Sequence, residues 1–160
     1  MLKALKFIIS IVIVLVVGNI GTLFTTPNIA TWYATLNKPS FNPPNWIFAP
    51  VWTTLFVLMG ISLFLIWNNK RKKEGNRKAF FIVFAINLAL NVLWSLIFFS
   101  QHFTGVALVE LIFLAISILV LIILSWKISK AAAILFIPYL AWVCFASFLN
   151  YNIWALNVIK

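Results

Sequence analysis

The sequence predicts an all-α membrane protein, a bundle of five transmembrane helices with a long proline-rich loop between the first and the second. Three observations carry that expectation. The 160-residue chain is 64% hydrophobic and 9% charged, with a mean hydropathy of +1.10, whereas soluble domains are about half apolar and a quarter charged. Its apolar residues fall into runs near the roughly 20 that cross a 30 Å hydrocarbon layer. Its lysines and arginines collect at the ends of those runs. Residues 1–160 read as a single transmembrane domain whose water-soluble parts are too short to fold separately.

The first helix is expected over about 7–24. Lys3 and Lys6 ahead of it resemble the start of a secretory signal, but no small-x-small cleavage pattern precedes Thr25, so the segment is kept as a span. Residues 27–44 carry four prolines and cannot cross the membrane. The second helix is expected over about 43–67, with Asn42 as N-cap, Pro43 and Pro44 in its first turn, and a kink near its start at Pro50. Residues 68–78, with Lys70, Arg71, Lys72, Lys73, Glu74, Arg77 and Lys78, form a hydrophilic break at a headgroup surface. The third helix follows over about 79–99, a tight turn over 100–103, the fourth helix over about 104–126, a turn over 127–130, and the fifth helix over about 131–154. No internal repeat is found.

Ten of the twelve basic residues then lie on one face, and only Lys38 and Lys160 on the other. The positive-inside rule places the N-terminus in the cytoplasm, with the 27–44 loop and the C-terminus on the opposite side. The net charge of +10 does not point to nucleic acid, because the basic residues form no groove-sized patch with stacking aromatics.

The residue inventory excludes most catalytic chemistry. One Cys, one His and two Glu do not make a metal site, no hydrolytic triad can be built without Asp, and the five glycines form no phosphate-cradling loop. Cys144 lies in an apolar run and reads as a packing residue, with no intrachain partner for a disulfide.

What remains is a set of stripes. On the third helix Asn87, Asn91, Trp94 and Phe98 are spaced to fall within about 60° of one another. Amides facing lipid are costly, so this stripe faces the bundle interior. Ala85 and Ala89, on the opposite side, have the small-x-x-x-small spacing of close helix contacts, with a neighbouring helix or in a homodimer. The fifth helix carries Pro138, Trp142, Phe145, Ala146 and Leu149, with Asn150 at the margin. Trp46, Trp67, Trp126 and Trp154 fall near helix ends, where interfacial anchoring accounts for them; Trp52, Trp94 and Trp142 do not. Trp52, Asn91, Trp94, Phe145, Ala146 and Glu110 are expected in the middle or far half of the bilayer, beneath the loop. An apolar, aromatic-lined cavity with a few polar groups and a lid is a common form of small-molecule site. Core packing produces aromatic stripes as well, and interhelical hydrogen bonding alone can employ both amides. Glu110, the acidic residue within a span, reads either as a functional carboxyl or as a neutral structural one.

The segment WYATLNKPSFNPPNWIFAPVW at 32–52 resembles the signature loop and second helix of the tryptophan-rich sensory protein family, also called the TspO, translocator protein or peripheral benzodiazepine receptor family. LALNVLWSLIFF at 88–99 is similar to its third helix and PYLAWVCFASFLNYNIW at 138–154 to its fifth, in family order. The resemblance implies a five-helix bundle, commonly a homodimer, that binds porphyrins and other tetrapyrroles, benzodiazepine-type and isoquinoline ligands and, in animals, cholesterol. It implies ligand-facing roles for Tyr33, Pro43, Trp46, Trp52, Asn87, Asn91, Trp94, Trp142, Phe145, Ala146 and Leu149. Glu110 matches an acidic position the family tends to carry. The animal sterol motif would end in a basic residue shortly after Tyr151, and 152–156 holds none. Sterol recognition through this segment is therefore not expected, and a bacterial-type member of a plasma membrane is.

The expected function is a sensor or regulator with protoporphyrin IX or a related tetrapyrrole as ligand and no required cofactor. The flat macrocycle would stack on Trp52 and Trp142 while Asn87 and Asn91 orient it. The family resemblance also admits light-dependent porphyrin degradation, with Trp52 and Trp142 as redox partners, and transport of porphyrin or lipid. Transport has less support, since no inverted repeat offers an alternating-access device.

Overall fold

The computed structural model describes residues 2–69 and 74–158. The expected surface-loop residues Lys70, Arg71, Lys72 and Lys73, and the terminal Lys160, lie outside the described residues. The chain is a run of helices with no strand among the described residues: α1 Lys3–Ile29, α2 Trp32–Thr35, α3 Asn45–Asn68, α4 Glu74–Ser95 continued by a π-helical turn Leu96–Ser100, α5 Thr104–Trp126, α6 Lys130–Ile134 and α7 Ile137–Val158. Five helical stretches are long and apolar enough to span a bilayer, with α6 and α7 together forming the fifth. The spans form a ring in which α1 packs on α3 and α4, α4 on α5, and α5 on α7, while α6 meets α3 and closes it. One end carries Lys3, Lys6, Arg77, Lys78, Lys127 and Lys130 and is here called the basic end; the other carries residues 30–44 and is called the loop end.

Several boundaries differ from the sequence expectation, each for a local reason. Pro27 sits inside α1, which runs on to Ile29; a proline in the last turn removes a single ladder bond, and the Thr31 hydroxyl donates to the Pro27 carbonyl at 3.0 Å. Asn42 does not cap α3, which begins at Asn45 after an extended Pro44 (φ −55°, ψ 142°). A residue before proline is driven out of the helical region, and both Asn42 and Pro43 precede one. Pro50 lies within α3, which continues through it. The last span is divided before Pro138, whose ring would collide with the carbonyl four residues back in a continuous helix.

The basic half of the bundle is tightly packed around Met59, Ile66, Phe80, Leu121 and Phe136, all fully buried. Close approach of α1 to α3 depends on two glycines. A Cβ on Gly18 would overlap the Phe56 ring, and one on Gly60 would come within 2.9 Å of the Ile11 Cα. Polar fastenings tie the spans together: Ser62 donates to the Ala132 carbonyl at 3.0 Å and Asn150 to the Thr104 carbonyl at 2.7 Å. A longer network crosses the middle. Asn91 Nδ2 donates to Tyr139 Oη at 2.6 Å, Tyr139 to Asn87 Oδ1 at 3.3 Å, Asn87 Nδ2 to Ser117 Oγ at 2.7 Å, and Ser117 to the Leu114 carbonyl at 2.7 Å. The two amides thus face the interior, as the stripe on the third helix requires.

Candidate functional site: an aromatic cavity in the loop half

Above this packed half the helices enclose a cavity of about 370 Å³, within the range of small-molecule sites. Its walls come from α1, α3, α4 and α7, while α5 stands behind. On α3, the spacing of Phe48, Trp52 and Phe56 by four residues turns all three rings inward. Opposite them are Trp94, Phe98 and Phe99 of α4 and its π turn, and Trp142, Ala146 and Leu149 of α7. The π turn matters here, because its extra residue brings Phe98 and Phe99 inside together, at 2% and 8% exposure. Where α3 and α7 diverge, aromatic contacts bridge them: Phe48 with Trp142, centroids 6.0 Å apart, and Trp52 with Tyr139 at 6.3 Å.

The α1 wall is made of Gly18, Gly21 and a set of polar residues, including Asn19, Thr22 and Thr25. Each of those three side chains donates back to its own helix, Asn19 to Leu15 O, Thr22 to Asn19 O and Thr25 to Gly21 O. The wall therefore behaves as more apolar than its composition. Asn19 and Thr22, with Thr53 of α3, are exposed as well as cavity-lining, so the cavity opens along the α1–α3 seam.

Among the described residues, none that lines the cavity carries a formal charge. Three buried polar atoms on lining residues have no hydrogen-bond partner: Trp94 Nε1, Trp142 Nε1 and Asn150 Oδ1. Leaving a buried donor or acceptor unmet costs about 1–3 kcal/mol; all three atoms are enclosed by protein, so the cavity surface is mainly the aromatic and aliphatic faces of its lining residues.

The loop covers the cavity as a lid anchored on both sides. Tyr33 of α2 lines the cavity and packs on Phe98 and Phe99, while Trp32 stacks on His102 with centroids 4.1 Å apart. His102 takes a positive φ of 61° in the α4–α5 turn. The Tyr33 phenol donates to Asn42 Oδ1 at 2.9 Å, and burial pushes its pKa above the ordinary value. The second limb of the lid is held by α7. Asn37 N–H donates to Asn157 Oδ1 at 3.0 Å and Asn157 Nδ2 to Asn37 O at 2.9 Å, and Phe41 stacks on Phe148 at 5.2 Å.

Of the residues singled out from sequence, Tyr33, Trp52, Asn91, Trp94, Trp142, Ala146 and Leu149 line this cavity. Pro43, Trp46, Asn87 and Phe145 do not. Trp46 is 73% exposed at the start of α3. The Pro43 carbonyl accepts from Asn42 within the lid. Asn87 is fully buried and reaches the cavity only through Tyr139 and Asn91. Phe145 packs on Trp142, centroids 5.4 Å apart. Glu110 is buried on α5 with both carboxyl oxygens unpartnered, outside the cavity lining. Sequence reasoning missed the α1 wall, although Gly18, Gly21, Thr22 and Thr25 recur at helical spacing on one face, and it missed Phe48 and Phe99.

Five apolar spans around a lidded aromatic cavity define an integral membrane protein of the sensor or translocator class. The pattern of the TspO/MBR family matches residues 10–155, and the chain belongs to that family. It is 42% identical over 156 residues to a "Tryptophan-rich protein TspO" of Archaeoglobus fulgidus, covering 98% of this chain and 99% of the relative. A protein of the same name from Chlorobaculum tepidum is 44% identical over 144 residues, 89% and 90% of the two chains. A "Translocator protein" of Bos taurus is 37% identical over 144 residues, 89% and 85% of the two.

Proposed function

We propose that the protein is a membrane ligand-binding sensor or regulator that takes porphyrins and benzodiazepine- or isoquinoline-type ligands in the loop-half cavity. The observation that carries this reading is the lining itself: aromatic side chains from three spans and no charged one among the described lining residues. A flat apolar macrocycle stacks on Trp52 and Trp142 and gains contact area there, while Asn91, held by Tyr139, fixes its orientation. We take the membrane to be a bacterial-type plasma membrane, and the charge distribution supports a cytoplasmic N-terminus with the lid and C-terminus on the opposite side. Ala85 and Ala89 are exposed on the outer face of α4, as a homodimer contact requires. The test is the Soret absorption of protoporphyrin IX on titration with purified protein. A saturable band shift, reversed by an isoquinoline carboxamide, is expected; a shift that never saturates counts against the cavity.

A second reading, light-dependent degradation of the bound porphyrin, is favoured by the presence of both Trp52 and Trp142 on the same cavity. Illumination of the complex in air separates the two: a binder returns the porphyrin unchanged, whereas a degradative protein yields a new absorbing product that Trp142→Phe fails to form.

A further inference from the structure

The cavity lacks any formal charge, and this poses a problem for an acidic ligand. An unpaired carboxylate among apolar walls is costly to bury, so an amphipathic acid must place its anionic end at the rim against a cation. Among the described residues a single cation lies at the loop end, Lys38. Its ammonium sits over the ring of Tyr33, 4.7 Å from the centroid, and Tyr33 is itself part of the cavity lining. Lys38 Nζ donates to the Leu36 carbonyl at 3.2 Å, which uses one of its three N–H groups. Among the described residues no acidic side chain lies at the loop end to compete for the others. The chain has two acidic residues; Glu110 is buried within α5 and Glu74 lies at the start of α4, at the basic end. The backbone just before Lys38 is fixed by the paired hydrogen bonds of Asn37 with Asn157.

We infer that Lys38 is the anion-recognising group of this cavity, pairing with the carboxylate of an amphipathic acid whose apolar body lies between the spans. The inference rests on the ligand-binding reading above and narrows it to acids that carry the carboxylate on an otherwise flat, apolar frame. Lys38 is half-buried and its four-carbon stem lets the ammonium swing from the face of the Tyr33 ring to a carboxylate beside that ring. A phospholipid headgroup offers the same anionic chemistry to a lysine at this level, and the experiment has to separate the two.

The experiment is tryptophan-quenching titration in phosphate-free maltoside micelles with two probes, protoporphyrin IX, which has two propionates, and its uncharged dimethyl ester. Wild type, Lys38→Gln and Lys38→Arg are compared. Lys38→Gln is expected to weaken diacid binding about fivefold, the scale of one partly exposed ion pair, while ester binding stays within about twofold and Lys38→Arg restores the diacid. Added salt should shrink the wild-type preference for the diacid. Equal effects on both probes, or no effect on either, overturn the assignment. A Lys38 effect that appears only in phospholipid nanodiscs also overturns it, giving the lysine to lipid headgroups. Saturable binding of the ester by wild type separately decides the underlying reading: if neither probe saturates, that reading fails and takes the inference with it.

Discussion

Asn157, near the end of α7, grips Asn37 of the lid by both polar groups of its backbone, at 3.0 and 2.9 Å, across 120 residues of sequence. The same Asn157 Nδ2 also donates to the Ile153 carbonyl at 2.7 Å, which fixes its rotamer. The amide thus acts as a latch between the lid and a span. Each such bond contributes about 0.5–1.5 kcal/mol net, so Asn157→Ala should make lid opening about tenfold more frequent. Stopped-flow release of a bound porphyrin should accelerate accordingly. Release unchanged within twofold would mean that ligand exchange bypasses this limb of the lid.

Tyr139 is the junction of the interior network, accepting from Asn91 and donating to Asn87. Tyr139→Phe preserves the ring and removes the partner of Asn91 Nδ2 and of Asn87 Oδ1, while Asn87 Nδ2 keeps its bond to Ser117. Interhelical hydrogen bonds in membranes contribute about 0.6 kcal/mol on average and up to about 1.7, so a loss of about 1–3 kcal/mol is expected. Reversible unfolding in mixed micelles measures it. A variant as stable as wild type would show that the amides find other partners.

The seam between α1 and α3 tolerates no Cβ at Gly60, because the Ile11 backbone lies in the way. Gly60→Ala should cost about 1–3 kcal/mol through overpacking. Gly75 has nothing within 4 Å, and at this helical position Gly75→Ala should gain about 0.5–1 kcal/mol from propensity alone. The pair is informative as a contrast. Similar effects at both sites would remove the steric argument.

Trp142 carries an indole N–H that is buried without a partner. Trp142→Leu forfeits the aromatic face that lines the cavity, and should weaken porphyrin binding about tenfold, since stacking on one aromatic ring contributes about 1–3 kcal/mol. Trp126→Leu, at an exposed end of α5 beneath Lys130, should leave binding unchanged. Dialysis against radiolabelled or fluorescent ligand distinguishes the two variants, and equal losses would place the ligand elsewhere.

The five spans were legible because hydrocarbon thickness imposes a length that composition alone reveals, and the inward stripe of Asn87, Asn91 and Trp94 followed from the cost of amides in lipid. Other features depended on contacts that no local pattern encodes. The π turn at Leu96–Ser100 shifts the register so that Phe99 joins Phe98 inside, and an α-helical wheel places only one of them there. Asn42 had the chemistry of a helix cap, yet its amide serves Tyr33, nine residues earlier. Asn87 shares a stripe with Asn91 but lies one layer deeper, behind Tyr139, so spacing alone could not separate the lining residue from its support. The α1 wall was missed because glycine and threonine in an apolar helix carry a weak signal, although their spacing on one face was present in the sequence.

Porphyrin binding in the loop-half cavity is tested most directly by quenching of intrinsic tryptophan fluorescence by protoporphyrin IX in nanodiscs, comparing wild type with Trp52→Phe, Trp142→Phe and Trp67→Phe. Trp52 and Trp142 line the cavity, whereas Trp67 pairs with Lys6 at the basic end. Saturable quenching that weakens in the first two variants and persists in the third is the predicted result. Quenching that does not saturate, or that all three variants leave unchanged, would rule out porphyrin binding in this cavity and return the aromatic stripes to core packing.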